Sequence, residues 1–208
     1  MPKPPNRTAA DFIPERPTLP TAREASKDCR GCDLWKIGTQ TVFGEGSRKA
    51  ELMLVGEQPG NEEDLTGHPF VGPAGKLLDR ALESLEIPRD IVFVSNAVKH
   101  FKFELRGKRR IHKTPTQREA AACLHWLEDE IALVQPKALV ALGSTAARSL
   151  MGHAVSVTAE RGKWLTRADG RKVLITLHPS ALLRMPPEER DEAFAAFVAD
   201  LKKAKSVL

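Results

Sequence analysis

Four short, continuous apolar runs punctuate the chain: Glu51-Leu52-Met53-Leu54-Val55, Ile91-Val92-Phe93-Val94, Ala138–Leu142 and Val173–Leu177. Each has the length of a strand buried on both faces. Between them the period changes. Leu77, Leu78, Ala81, Leu82 and Leu85 share one stripe of a helix predicted from about Pro73 to Glu86. Thr116 and Glu119 form a capping box and open a second helix, whose face carries Ala120, Cys123, Leu127, Ile131 and Val134 until Pro136 stops it. A short helix follows Gly143-Ser144 to about Leu150. The last helix, about Pro187 to Lys205, starts with proline and acids and ends in lysines, as the helix dipole favours. Val155–Thr158 and Lys163–Thr166 read as a hairpin-like excursion around Arg161-Gly162. Strands alternating with helices predict an α/β fold: a three-layer sandwich with a central, mostly parallel four-stranded twisted sheet flanked by helices.

The prolines divide the chain. Six of them lie in residues 1–20, with few large apolar neighbours, so residues 1–22 read as a disordered or extended arm. Residues 23–208 read as a single domain; 208 residues at 41% hydrophobic content suffice for one core. No apolar run approaches the ~20 residues of a membrane helix, and the N-terminus lacks the apolar segment of an export signal. A cytoplasmic monomer with no membrane contact and no obligate protein partner is expected.

Charge changes the picture at one place. Lys99 to Lys113 holds seven Lys/Arg against the single acid Glu104, a net +6, while the whole chain carries +5. Everything else therefore sums to −1. Charge this concentrated points to a polyanion, most often nucleic acid. His112 sits inside the run.

Polar loops follow three of the strands: Gly56-Glu57-Gln58-Pro59-Gly60, Ser95-Asn96-Ala97-Val98, and His178-Pro179-Ser180. A parallel sheet gathers such loops at its carboxyl edge, so Glu57, Gln58, Asn96 and His178 are expected to converge. Phe70, in the Gly/Pro loop from Gly67 to Gly75, should lie near them. Neither phosphate-binding glycine pattern is present. The cysteines are three, Cys29, Cys32 and Cys123, an odd count that argues against a disulfide framework. Cys29-x-x-Cys32 suits a metal or redox pair; Cys123 is equally well a small core residue.

These loops carry a resemblance. GEQPG, GHPFVGPAGKLLDRAL, SNAVK and LHPSALLR, in that order, resemble the motif series of the iron–sulfur uracil-DNA glycosylases, related to family 4. KHFKF followed by GKRRIHKTP is similar to the UdgX branch, whose loop histidine becomes covalently joined to DNA where uracil was removed. The resemblance spans roughly residues 25–205. It implies a glycosylase that excises uracil, expectedly from single-stranded DNA, and is left linked through His112 to C1′ of the abasic site.

The resemblance also implies roles. Phe70 stacks on the flipped base and Asn96 reads its edge, with Gly56 and Gly60 letting the ligand approach backbone. His178 donates to the departing uracil. His112 is the nucleophile, kept neutral by the cations around it, and Glu57 accepts its other ring proton. Gln58 positions water or the sugar. Ser180, Arg184, Lys108, Arg109 and Arg110 hold phosphates, and Leu182 or Leu183 fills the gap. A [4Fe–4S] cluster is expected on Cys29, Cys32, His100 and Cys123, with His100 standing where ordinary members have cysteine; zinc on the same set is the alternative. Asn61 replaces a frequent acid. An ordinary turnover glycosylase and a non-catalytic DNA-binding iron–sulfur protein are the rival readings.

Overall fold

The structure, a computed structural model, describes residues 7–208. Its strands are β1 (Glu45–Gly46), β2 (Leu52–Gly56), β3 (Phe93–Asn96), β4 (Phe103–Arg106), β5 (Arg109–His112), β6 (Ala138–Leu142), β7 (Trp164–Thr166) and β8 (Lys172–Thr176). Its helices are α1 (Leu19–Ser26), α2 (Asn61–Thr66), α3 (Pro73–Ser84), α4 (Gln117–Val134), α5 (Ser144–Met151), α6 (Val157–Glu160), α7 (Pro179–Leu183) and α8 (Pro187–Lys205).

The main sheet has six strands rather than four, in the order β1-β3-β2-β6-β8-β7. The four apolar runs supply the interior and pair parallel, with Gly56 opposite Asn96 and Val55 opposite Ala141. The edge strands β1 and β7 are antiparallel and only two and three residues long. They are too short to leave an apolar signature. β7 turns back on β8 through Arg167–Gly170, so the expected excursion is displaced: Val157–Glu160 is helical, and the hairpin lies after it.

Side-chain alternation puts Leu52, Leu54, Val140 and Leu174 on one face, under α3, α7 and α8. Met53, Val55, Leu139 and Ile175 lie on the other, under α4 and α5. Burying both faces explains why the strands are apolar throughout. The capping box that opens α4 is present, with Thr116 N–H donating to Glu119 Oε2 at 2.6 Å and Glu119 N–H to Thr116 Oγ1 at 3.2 Å.

Among the parallel strands the chain starts at β2, steps to β3 on one side, then crosses to β6 on the other. Crevices at such reversals, outside the carboxyl ends, are where open α/β sheets hold ligands.

Two segments depart from expectation. Of the predicted arm, residues 1–6 lie outside the described residues, but Ala9–Phe12 forms a 3-10 turn and α1 starts with Pro20 in its first turn. Ala9 and Ala22 are buried against Trp126 and Cys123. Pro20 sits where helix starts tolerate proline. The basic run is not an irregular loop either. It is a second, two-stranded sheet, β4 against β5, turning at Gly107 with φ +60°.

Candidate active site

Gly56 ends β2 with no side chain, and three residues close over the space. A Cβ there would stand 2.4 Å from Asn96 Oδ1, 2.7 Å from Phe70 Cζ and 3.3 Å from His178 Nε2. Only glycine permits this floor. Phe70 is buried at φ +58°, a left-handed conformation costing a non-glycine residue on the order of 1–3 kcal/mol. Its ring lies 6.1 Å from that of His178, at 27°.

Asn96 is 2% exposed, yet its carboxamide has no hydrogen-bond partner among the described residues. Its backbone is well held, with Ala97 N–H donating to Gly56 O at 2.9 Å. An amide has two donors and an acceptor to satisfy, and those of Asn96 are left to water or to a molecule entering the pocket. Its oxygen can accept and its nitrogen donate, so the amide could pair with an edge that offers both a donor and an acceptor.

His178 caps α7. Ser180 N–H donates to its Nδ1 at 3.1 Å, and Ser180 Oγ lies 2.8 Å from the same nitrogen. Nδ1 thus carries the lone pair, and the proton belongs on Nε2, which faces the pocket. Burial, with Arg184 and His112 adding to it, brings this imidazole down to about 4. It is a neutral donor at neutral pH.

His112, at the end of β5, is 46% exposed at the mouth of the pocket, with Nε2 3.4 Å from Glu57 Oε1. Its ring leans on Phe101. Burial holds its pKa below the ordinary value, Glu57 pulls it up and Arg184 pushes it down. The cations of the basic run were expected to do this; Arg184 is the cation that does. Glu57 also accepts a hydrogen bond from Thr145 Oγ1 at the start of α5. The carboxylate is thereby fixed across the β2–β6 crevice.

Gln58 corrects another expectation. Its Nε2 donates to Lys102 O at 3.2 Å and Lys113 O at 3.0 Å, and its Oε1 accepts from Lys102 N–H at 3.0 Å. The amide is spent on the base of the β4–β5 hairpin, beside the strand end that carries His112, rather than left open for water or sugar.

The basic run is mostly neutralised within the fold. Lys99 pairs with Glu130, Lys102 with Glu119, and Arg106 and Lys113 both with Glu104. Arg110, expected on a phosphate, instead pairs with the buried Asp64 and lies 4.3 Å over the Phe103 ring. Lys108 and Arg109 are exposed at the hairpin tip with no partner among the described residues. Arg184 is also exposed, 3.4 Å from Ser180 Oγ. These three remain available to an anion. Leu182 is in the core, whereas Leu183 is 37% exposed.

Two contributors escaped the sequence reading. Glu63 accepts from Gly60 N–H at 3.0 Å and Gly72 N–H at 2.8 Å, tying the two glycine loops together. The Glu63 position three residues past Gly60 was the available signal. Thr145 carried none.

Cys29, Cys32 and Cys123 crowd into one packed group with Trp126. Burial pushes the Cys32 thiol up to about 11 and Cys123 to about 12. Cys29 and His100 line one cavity of about 120 Å³, and burial keeps His100 neutral, down to about 4. As they stand, no three His, Cys, Asp or Glu side chains among the described residues close to metal-holding spacing.

The family model described as the uracil DNA glycosylase superfamily matches residues 43–202. The type-4 uracil-DNA glycosylase of Thermotoga maritima is 40% identical over 186 residues, 89% of this chain and 92% of that protein. The type-4 enzyme of Sulfurisphaera tokodaii is 38% identical over 177 residues, 81% of this chain and 77% of that protein. The type-5 uracil-DNA glycosylase of Pyrobaculum aerophilum is 29% identical over 183 residues, 80% of this chain and 77% of that protein. No helix among the described residues is long and apolar enough to cross a membrane.

Proposed function

This chain belongs to the uracil DNA glycosylase superfamily, and on that premise we propose that it excises uracil from DNA and ends covalently joined to the stripped sugar through His112. Glycosylase activity rests on the family and its relatives. The covalent ending rests on one observation above all: an imidazole held at the pocket mouth with one ring nitrogen 3.4 Å from a carboxylate.

Uracil leaves the base stack to enter the pocket. That costs a few kcal/mol from a duplex and less from a single strand, which makes single-stranded DNA the favoured substrate. Phe70 stacks on the base. The free Asn96 carboxamide accepts from N3–H and donates to O4; cytosine offers the reverse pattern and is refused. Leu183 enters the vacated gap, and Arg184, Ser180, Lys108 and Arg109 hold the backbone.

As the C1′–N1 bond breaks, its electrons leave with the pyrimidine. The negative charge grows on O2, where His178 Nε2–H donates. C1′ becomes electron-poor. His112, with Nε2–H turned to Glu57, keeps its lone pair on Nδ1, which forms the new bond to C1′. No proton need leave: the alkylated ring is an imidazolium, and the Glu57 carboxylate offsets its charge. Proximity lets this nitrogen outcompete water.

Cys29, Cys32, His100 and Cys123 are assigned to a [4Fe–4S] cluster with a structural role. In support, three thiols and a neutral imidazole meet in one buried region, Lys99 N–H donates to Cys123 Sγ at 3.2 Å, and Trp126 Nε1 lies buried there with no partner. Seating it requires these side chains to draw together.

Similarity to type-4 enzymes favours a second reading, ordinary hydrolytic turnover. A denaturing gel separates the two. Uracil-containing single-stranded DNA should give a heat-stable shifted band with stoichiometric uracil release. Many turnovers of free uracil without a band would favour hydrolysis.

A further inference from the structure

Lys99 is counted in the basic run, yet it never reaches the surface. Lys99 and Glu130 are each 0% exposed, 2.7 Å apart. Every donor of the ammonium is used: Glu130 Oε2 at 2.7 Å, Ser95 Oγ at 2.7 Å and the Asn96 backbone carbonyl at 2.8 Å. Ser95 Oγ donates onward to Glu130 Oε2, and Glu130 Oε1 accepts from Gly44 N–H at 2.7 Å. The network is closed, and its link to the pocket is the main chain of Asn96.

A buried ion pair is a poor way to gain stability. Apolar residues of similar volume often serve as well or better, because both charges lose their water. This one does have a geometric consequence. The Asn96 carboxamide has no protein hydrogen bond of its own, so only its backbone fixes where it points. On one side that backbone pairs with β2, through Gly56. On the other, its carbonyl is gripped by Lys99, which Glu130 anchors to α4. The Lys99 main chain is held as well, its N–H on Cys123 Sγ and its carbonyl accepting from Val42 N–H at 2.8 Å.

We infer that the Lys99–Glu130 pair is a positioning device for Asn96: it holds the base-reading carboxamide in register from behind and sets the excision rate without contacting DNA. The inference rests on the base-reading role of Asn96 proposed above.

The test uses the full chain. Lys99→Met with Glu130→Leu removes both charges together and leaves neither buried alone. Melting reports its fold. The expected result is a cooperative melt and a single-turnover excision rate, at saturating enzyme, lower by on the order of 10–100-fold. Half-saturating enzyme concentration and affinity for uracil-free DNA should stay unchanged, a split that loss of fold does not produce. A folded double variant with the parent rate would overturn the inference. If the double variant does not fold, Glu130→Gln decides: a slower rate at unchanged half-saturation supports positioning, and the parent rate overturns it. Asn96→Ala is measured alongside. If it excises at the parent rate, the base-reading role fails and takes this inference with it. If it is inactive while the double variant is fully active, this inference alone fails.

Discussion

His112 Nε2 lies 3.4 Å from Glu57 Oε1, although the two residues are 55 positions apart in the chain. One stands at the end of a peripheral hairpin and the other at the carboxyl end of the central strand. The meeting depends on Gln58, adjacent to Glu57, clamping that hairpin at its base. The strand that supplies the carboxylate also delivers the imidazole.

The clamp gives a first prediction. Gln58→Ala frees the hairpin base without altering the base pocket. Uracil should still be released, while the share of product trapped as protein–DNA adduct falls. Parallel assays of free uracil and gel-shifted adduct check this; equal losses in both would place Gln58 in the chemistry itself.

A second prediction concerns pH. The proposed nucleophile must be neutral to act, and burial and Arg184 hold His112 below its ordinary 6.5 despite Glu57. Adduct formation should therefore be flat above pH 6.5 and fall only as pH drops through the depressed pKa. Glu57→Gln removes the group that raises this pKa, so the fall should move to lower pH. Arg184→Gln removes a group that lowers it, so the fall should move to higher pH. Initial adduct rates across a buffered series measure both displacements, which must be opposite in sign.

The hairpin cations should divide in two. Lys108→Ala and Arg109→Ala remove exposed, unpartnered charge, so each should weaken DNA binding, cut the salt slope by about 1 and leave melting alone. Arg110→Ala strands the buried Asp64 carboxylate, a loss on the order of 3 kcal/mol. It should appear first as a lower melting temperature. Salt-dependent binding and thermal melts of the three variants test the division.

Replacing one of the proposed cluster ligands gives a fourth. Cys123→Ser should lower iron and acid-labile sulfide together and destabilise the region around Trp126. A protein that carries stoichiometric zinc and no sulfide would support the zinc alternative.

The parts of this molecule that the chain advertised are those governed by burial. Leu52–Val55 or Ala138–Leu142 can only be interior strands, and their polar successors, Glu57, Asn96 and His178, had to share an edge. The hairpin was hidden because the alternation of Phe103, Leu105 and Ile111 is diluted by cations and lacks the two-residue turn signal of Asn-Gly. Charge misled for a related reason. A formal count treats Lys99, Arg110 and Arg109 alike, yet their fates depend on whether Glu130 or Asp64, distant in sequence, comes within reach. The prolines before Pro20 suggested a loose arm because composition does not reveal that two alanines, Ala9 and Ala22, find a buried seat.

The most direct measurement is the intact mass of the protein after mixing with uracil-containing single-stranded DNA, for the parent chain and for His112→Ala. The parent should gain the mass of the oligonucleotide less its uracil, with the linkage mapping to the peptide that holds His112, and the variant should gain nothing. An adduct of the same mass on the variant, or a parent chain of unchanged mass after it has released its uracil, would contradict a covalent role for His112.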